Sequence, residues 1–177
     1  MGFLQLRDVT INDAGILFGW LKDPEAMRWA FSPRERESRT LQEHVDWLVA
    51  WIQKNQLSEF RDYWWVLDDE DSLTPLGQIR LERKVLTAKS FDAGLDFSIS
   101  GRECFVVSLI VDKAHRRKGY GSLMLQIAGG RVMDADLPLL AFIREGNEAS
   151  VRAFGVAGYR ETWRGEWMGQ RAVVMEG

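Results

Sequence analysis

Cysteine is almost absent from this 177-residue chain. Cys104 is the only one, so no internal disulfide can form, which fits a reducing, cytoplasmic setting. Excess positive charge is also lacking. The formal net charge is −3, which argues against non-specific nucleic-acid binding. No charged-then-apolar leader opens the chain, and no apolar run reaches ~18 residues, so neither export nor membrane spanning is indicated. Repeats, low-complexity tracts and linkers are missing as well. Two phosphate-binding signatures are likewise absent. There is no GxxxxGK followed by Ser or Thr, and no GxGxxG.

What remains is an ordinary globular composition, 46% apolar and 28% charged, long enough for one domain over residues 1–177 with a real core. Eight tryptophans exceed what packing needs, which points to aromatic side chains lining a cleft.

Alternation predicts strands at Phe3–Val9, Tyr63–Leu67, Gly77–Glu82, around Leu95–Ile99, at 104–111, and at Leu137–Ile143. Tyr159–Trp163 and Arg171–Met175 read as a closing hairpin. Asn12 or Asp13 caps a short helix through Leu21. Asp23-Pro24 starts a turn or short helix. The polar stretch Ser32–Ser38 reads as a mobile loop. Thr40-Leu41-Gln42-Glu43 is a capping box, and Leu41, Val45, Leu48, Val49 and Ile52 form one stripe behind it. Further helices run from Ser122 to about Met133 and from Asn147 or Ser150 to Gly158. The order is β, α, α, strands, then β, α, β, α, β, β, a mixed α/β pattern.

The most informative stretch is Cys104–Ser122, CFVVSLIVDKAHRRKGYGS. An apolar β-branched run ends at Asp112, and Arg116-Arg117-Lys118-Gly119-Tyr120-Gly121 then opens a helix. A helix N-terminus presents unpaired N–H groups and the positive end of its dipole, and both bind phosphate. Gly119 and Gly121 allow backbone to approach an anion without an intervening Cβ. A second motif follows, Asn147-Glu148-Ala149-Ser150, then Phe154 and Gly158-Tyr159. Asn147 and Ser150 also suit helix capping, and the two roles are compatible.

R-x-x-G-x-G after a strand, followed by N-x-x-S…F…G-Y, resembles the coenzyme motifs of the GNAT superfamily of N-acetyltransferases. The resemblance covers nearly the whole chain. It implies the GNAT fold, a central mixed sheet flanked by about four helices, and acetyl-CoA as co-substrate. It implies coenzyme contacts from Leu109, Ile110 and Val111 on a bulged central strand, from Arg116, Arg117, Lys118, Gly119, Tyr120, Gly121 and Ser122 on the loop, and from Asn147 and Ser150. No metal is expected.

Acetyl transfer needs a polarised thioester carbonyl, a neutral amine and a leaving thiolate. Many relatives carry a tyrosine where Phe154 stands, and Phe cannot give a proton. Many carry a carboxylate where Val106 stands. Glu82, Asp96 and Glu103 are the remaining candidate bases. His44 is either a core histidine or a pocket base. Trp29 and Phe31, with Trp163 and Trp167 on the final hairpin, are candidate acceptor walls. Trp20 reads as core or as part of that cluster.

The stretches WLKDPEAMRWAF, LQEHVDWLVAWI and GQIRLER resemble acetyltransferases of nucleotide-linked amino sugars, and also the ribosomal-protein N-terminal acetyltransferases. The acceptor expected from this is a small-molecule amine, in the finer reading a nucleotide-linked amino sugar, with no nucleic-acid or membrane partner, in a monomer or homodimer. A protein N-terminus is the alternative acceptor. A degenerate acyl-CoA-binding sensor is the alternative function. Thr87–Glu103 is longer than expected between two such strands.

Overall fold

Period-two alternation builds the sheet, and the two faces it sorts are the key to the site. The computed structural model describes residues 3–30, 38–58, 61–71, 74–86, 101, 103–132, 137–167 and 169–177. In chain order the elements are β1 (Leu4–Asp8), α1 (Ala14–Lys22), α2 (Pro24–Arg28), α3 (Leu41–Leu57), β2 (Tyr63–Asp69), β3 (Thr74–Val85), β4 (Glu103–Val111), α4 (Tyr120–Val132), β5 (Leu139–Arg144), α5 (Glu148–Val156), β6 (Arg160–Trp167) and β7 (Gln170–Glu176). One-turn 3-10 helices, Ile11–Asp13 and Lys113–His115, lead into α1 and follow β4.

The described residues contain five α-helices, in keeping with the about four expected and the short helix allowed for at Asp23-Pro24. Of the two readings of Asp23-Pro24, the short helix is the one present, as α2: Asp23 accepts a hydrogen bond from Ala26 N–H at 3.0 Å, and Pro24 occupies the first helical position, where its missing N–H costs nothing. The capping box at the start of α3 is present as read. Thr40 Oγ1 accepts from Glu43 N–H at 3.2 Å, and the Glu43 carboxylate accepts from Thr40 N–H at 2.7 Å. The strand expected around Leu95–Ile99 lies outside the described residues.

Seven strands form one mixed sheet in the order β1-β2-β3-β4-β5-β7-β6. Trp65, Leu67, Ile79, Leu81, Phe105 and Val107 point to one face, where Met124 and Leu125 of α4 and Phe154 of α5 cover them. Each such side chain contributes about 1.5–3 kcal/mol on burial, so this face carries most of the fold's hydrophobic stability. Trp64 and Val66 point to the other face and pack with Leu17 and Trp20 of α1 and Leu48 of α3. A third cluster, Leu86, Cys104, Leu140 and Val174, continues that face toward β6, with Val106, Phe142, Trp163 and Trp167 against it.

The feature that positions the site is a parting of strands. β4 and β5 are parallel neighbours, yet they pair only at Phe105↔Leu139 and Val106↔Leu140. Beyond that row β4 stays paired to β3 through Val111, and β5 stays paired to β7 through Arg144. The two strands therefore open into a V toward their C-terminal ends, with backbone N–H and C=O groups on its inner walls.

Candidate active site

The V ends beside the glycine loop. Arg117 and Gly119 both have positive φ, 63° and 87°. This turns the chain sharply into α4. The first helical bond runs from Leu123 N–H to Gly119 O at 3.1 Å, so the N–H groups of Tyr120, Gly121 and Ser122 precede it, free of helical acceptors. Ser122 Oγ donates to Gly119 O at 2.9 Å. Arg117, Lys118 and Gly119 are exposed.

The two glycines differ in what they do. Gly119 needs its left-handed conformation, and space around it is open. Gly121 is buried, and a Cβ there would meet Leu109, Val111 and Ala153 at 3.6–3.7 Å. Those are ordinary contact distances, so Gly121 sits where α4 packs closely on β4.

Arg116 has its side chain engaged within the fold. Its Nε donates to Val111 O at 3.2 Å, its Nη2 to Asp23 at 2.7 Å and its Nη1 to Glu25 at 2.6 Å. The guanidinium is committed to the start of α2. Burial pushes the Asp23 carboxyl up, but Arg116 and the Ala26 N–H outweigh it and hold it below the ordinary range. Nearby, Trp20 is a core residue whose indole N–H donates to Asp112 at 2.8 Å, while Asp112 also caps the turn through Ala114 N–H at 2.8 Å.

The expected bulge is absent where β4 meets β3. Their register runs unbroken from Gly77↔Val111 to Val85↔Glu103. The parting of β4 from β5 instead leaves on the inner side the backbone groups of Leu109 and Val111, while those of Ile110 face β3. Gly77 makes the close β3–β4 approach possible, since a Cβ there would come within 2.6 Å of Ile110 O.

At the apex of the V stands a row of paired residues, Glu82↔Val106↔Leu140. Directly paired residues project to the same face. Glu82 therefore lies beside Val106 on the face shared with Phe142, Trp163 and Trp167. The carboxylate missing from the central strand is present one strand away, in the same row. Both of its oxygens are held, by Arg80 Nη2 at 2.6 Å and Lys84 Nζ at 2.5 Å. Burial pushes the Glu82 carboxyl up, but Arg80 and then Lys84 outweigh it and hold it below its ordinary value. Glu103 alternates onto the opposite face and pairs with Arg83 at 2.6 Å, so it does not share the site. Asp96 lies outside the described residues.

Arg80, which sequence reading passed over, is set in a tryptophan box. Its guanidinium carbon is 5.2, 5.8 and 5.3 Å from the ring centres of Trp47, Trp51 and Trp64. The i, i+4 spacing of Trp47 and Trp51 was the available signal. Across the strands from Arg80, Ser108 is exposed although it lies mid-way along a central strand. The face is open there.

His44 is wholly buried, with its ring 5.7 Å from both Phe18 and Trp47. It is a core histidine, and the pocket-base alternative falls. Trp167 stacks on Phe142 at 4.1 Å, and Trp163 packs in the same cluster. Trp29 lies against Gly146, just past β5, with Arg28 over its ring at 4.9 Å. Phe31 lies outside the described residues. Asn147 caps α5, accepting from Ser150 N–H at 3.2 Å. Phe154 is buried edge-on to Tyr159, whose own hydroxyl is pushed up by burial. Neither ring offers an acid at neutral pH.

Residues 4–160 match the acetyltransferase (GNAT) domain. The chain belongs to the GNAT family. It is an acetyl-CoA-dependent N-acetyltransferase. No curated protein sequence matches closely enough to count as a relative. Solved structures show the fold. The aminoglycoside acetyltransferase AAC(6')-Ib in complex with coenzyme A superposes with TM-score 0.70 at 15% identity, over 99% of this chain and 94% of that one. Spermidine N-acetyltransferase from Vibrio cholerae, with CoA and spermine, gives 0.71 at 15% identity over 98% and 92%. A structure described as a putative phosphinothricin N-acetyltransferase gives 0.64 at 23% identity over 98% and 96%. Among the described residues no helix is long and apolar enough to cross a membrane, and no group of His, Cys, Asp and Glu could hold a metal.

Proposed function

We propose that acetyl-CoA lies in the V between β4 and β5 and that Glu82 receives the proton of a small-molecule amine. The observation that carries this is the Glu82↔Val106↔Leu140 row at the point where the strands part. The diphosphate rests on the N–H groups of Gly119, Tyr120, Gly121 and Ser122, with Arg117 and Lys118 adding charge. Asn147 and Ser150 edge the coenzyme arm. The inner N–H groups of Leu109 and Val111 face the thioester oxygen as it gains charge.

In the reaction the amine nitrogen bonds to the thioester carbon, the C–S bond breaks, and coenzyme A leaves as thiolate. A thiol of pKa near ~8.5 leaves without an acid, so Phe154 is tolerated. A carboxylate held as acidic as Glu82 cannot take a proton from a free ammonium of pKa near ~10.4. It takes the proton, directly or through water, as the N–C bond forms and the nitrogen loses its basicity.

The acceptor reading rests on charge. Among the described residues, the face around Ser108 carries Arg80, Lys84 and Arg144 with the carboxylates of Glu82 and, further along the same row, Glu176, a positive balance. A polycationic amine meets net repulsion there, whereas an anionic one is favoured. Trp29, Trp163 and Trp167 offer walls for rings, and base–aromatic stacking is worth about 1–3 kcal/mol. A nucleotide-linked amino sugar meets both conditions. The test is coenzyme A thiol release with UDP-amino sugars, aminoglycosides, polyamines and N-terminal peptides side by side. Turnover with the anionic amino sugars is expected. Turnover with polyamines or peptides alone would overturn the acceptor reading. Acetyl-CoA binding without turnover on any amine would favour a sensor.

A further inference from the structure

The two arms of the V are tied to the same short helix, each by one arginine. Just past β4, Arg116 reaches back to Val111 O at 3.2 Å and across to Asp23 at 2.7 Å and Glu25 at 2.6 Å, at the start of α2. At the end of β5, Arg144 Nη1 donates to Arg28 O at 2.6 Å, the last residue of α2. By then β4 and β5 have parted. Helix α2 therefore spans the open mouth, its N-terminus fixed to the β4 arm and its C-terminus to the β5 arm.

A five-residue helix has no stability of its own. Its place is set by these contacts, by the Trp20–Asp112 hydrogen bond just before it, and by packing on α1. The Arg116–Asp23 pair is sheltered, with 23% and 14% of the two side chains exposed, so it is screened less than a surface pair. A diphosphate drawing Arg116 toward itself would have to break three hydrogen bonds and leave Asp23 unpaired.

We propose that Arg116 and Arg144 are positioning residues: they hold α2 across the mouth of the cleft and thereby fix the separation of β4 and β5 around the thioester arm. Arg116 is a brace here, and Arg117 and Lys118 supply the loop's outward charge. The proposal rests on the reading of the V as the coenzyme site, and the test separates the two.

Calorimetry with two probes decides it. Acetyl-CoA engages both the loop and the V. Adenosine 3′,5′-bisphosphate carries phosphates but no thioester arm. Arg116→Met, Arg144→Met and the double variant Asp23→Asn/Glu25→Gln are each expected to weaken acetyl-CoA binding about tenfold, an ordinary coupling between two sites. All should leave the bisphosphate affinity unchanged. Arg116→Lys should fall between wild type and Arg116→Met, because it keeps the charge and loses the fork. Asn at position 23 preserves the helix cap, so the acidic double variant remains informative if an arginine variant folds poorly. The proposal is overturned if Arg116→Met weakens both probes alike while the acidic double variant binds as wild type, since Arg116 is then a phosphate ligand. If the wild-type chain binds neither probe, the coenzyme reading falls and the brace with it.

Discussion

Two residues in this fold carry protonation states that packing imposes. His44 has no hydrogen-bond partner for either ring nitrogen among the described residues, and burial, with Arg39 nearby, lowers its pKa. Its folded pKa is thus below the unfolded value near ~6.5. As pH falls through that value the unfolded chain takes up a proton that the folded ring resists, so stability drops. His44→Leu should remove that slope between about pH 7 and 5 and be at least as stable at pH 8, because orphaned polar atoms are replaced by apolar ones. Thermal melts across this range check it, and an identical slope in both proteins would contradict it. Glu82 is the opposite case, a carboxylate kept ionised by Arg80 and Lys84. The alternation Gln78, Arg80, Glu82 was legible in the sequence, as was Glu82 as a candidate. That Glu82 lies across from Val106 was not, because strand register depends on tertiary pairing. The burial of His44 was equally hidden, since one residue beside an apolar stripe can face either way.

At the level of elements, local chemistry was the most readable part. The box at Thr40, the cap at Asn147 and the Gly119 turn are all specified within four residues of sequence. The roles of the two loop glycines were not separable, because the Cβ vector of each depends on how α4 docks on β4. That difference is testable. Gly119→Glu forces a left-handed glutamate, costing roughly 1–2 kcal/mol, yet should fold. It should abolish acetyl-CoA binding, because its carboxylate faces the anion cradle. Gly121→Glu instead drives a carboxylate against Leu109, Val111 and Ala153, and should destabilise the fold by about 3–5 kcal/mol. Melting curves and calorimetry on both variants distinguish these outcomes. A Gly119→Glu protein that binds acetyl-CoA as wild type would remove the loop from the site.

For the whole molecule, the strand and helix order implied the mixed sheet, and seven paired strands across residues 4–176 bear this out. The two features on which the proposed site depends were not legible. One is the two-rung pairing of β4 with β5, which no local pattern encodes. The other is the placement of α2 across the resulting mouth, which depends on two arginines 116 and 93 residues away in the chain, Arg144 to Arg28 and Arg116 to Asp23. Both follow from contacts between residues far apart in the chain. The central claim is that a carboxylate at the apex of the V serves acetyl transfer. The most direct test is steady-state thiol release by Glu82→Gln, at saturating acetyl-CoA and across pH, with coenzyme affinity measured in parallel. A fall of about a hundredfold or more in turnover with unchanged acetyl-CoA affinity is the result expected, and the wild-type rate should show no inflection from Glu82 above about pH 5. Turnover by Glu82→Gln at the wild-type rate would contradict it.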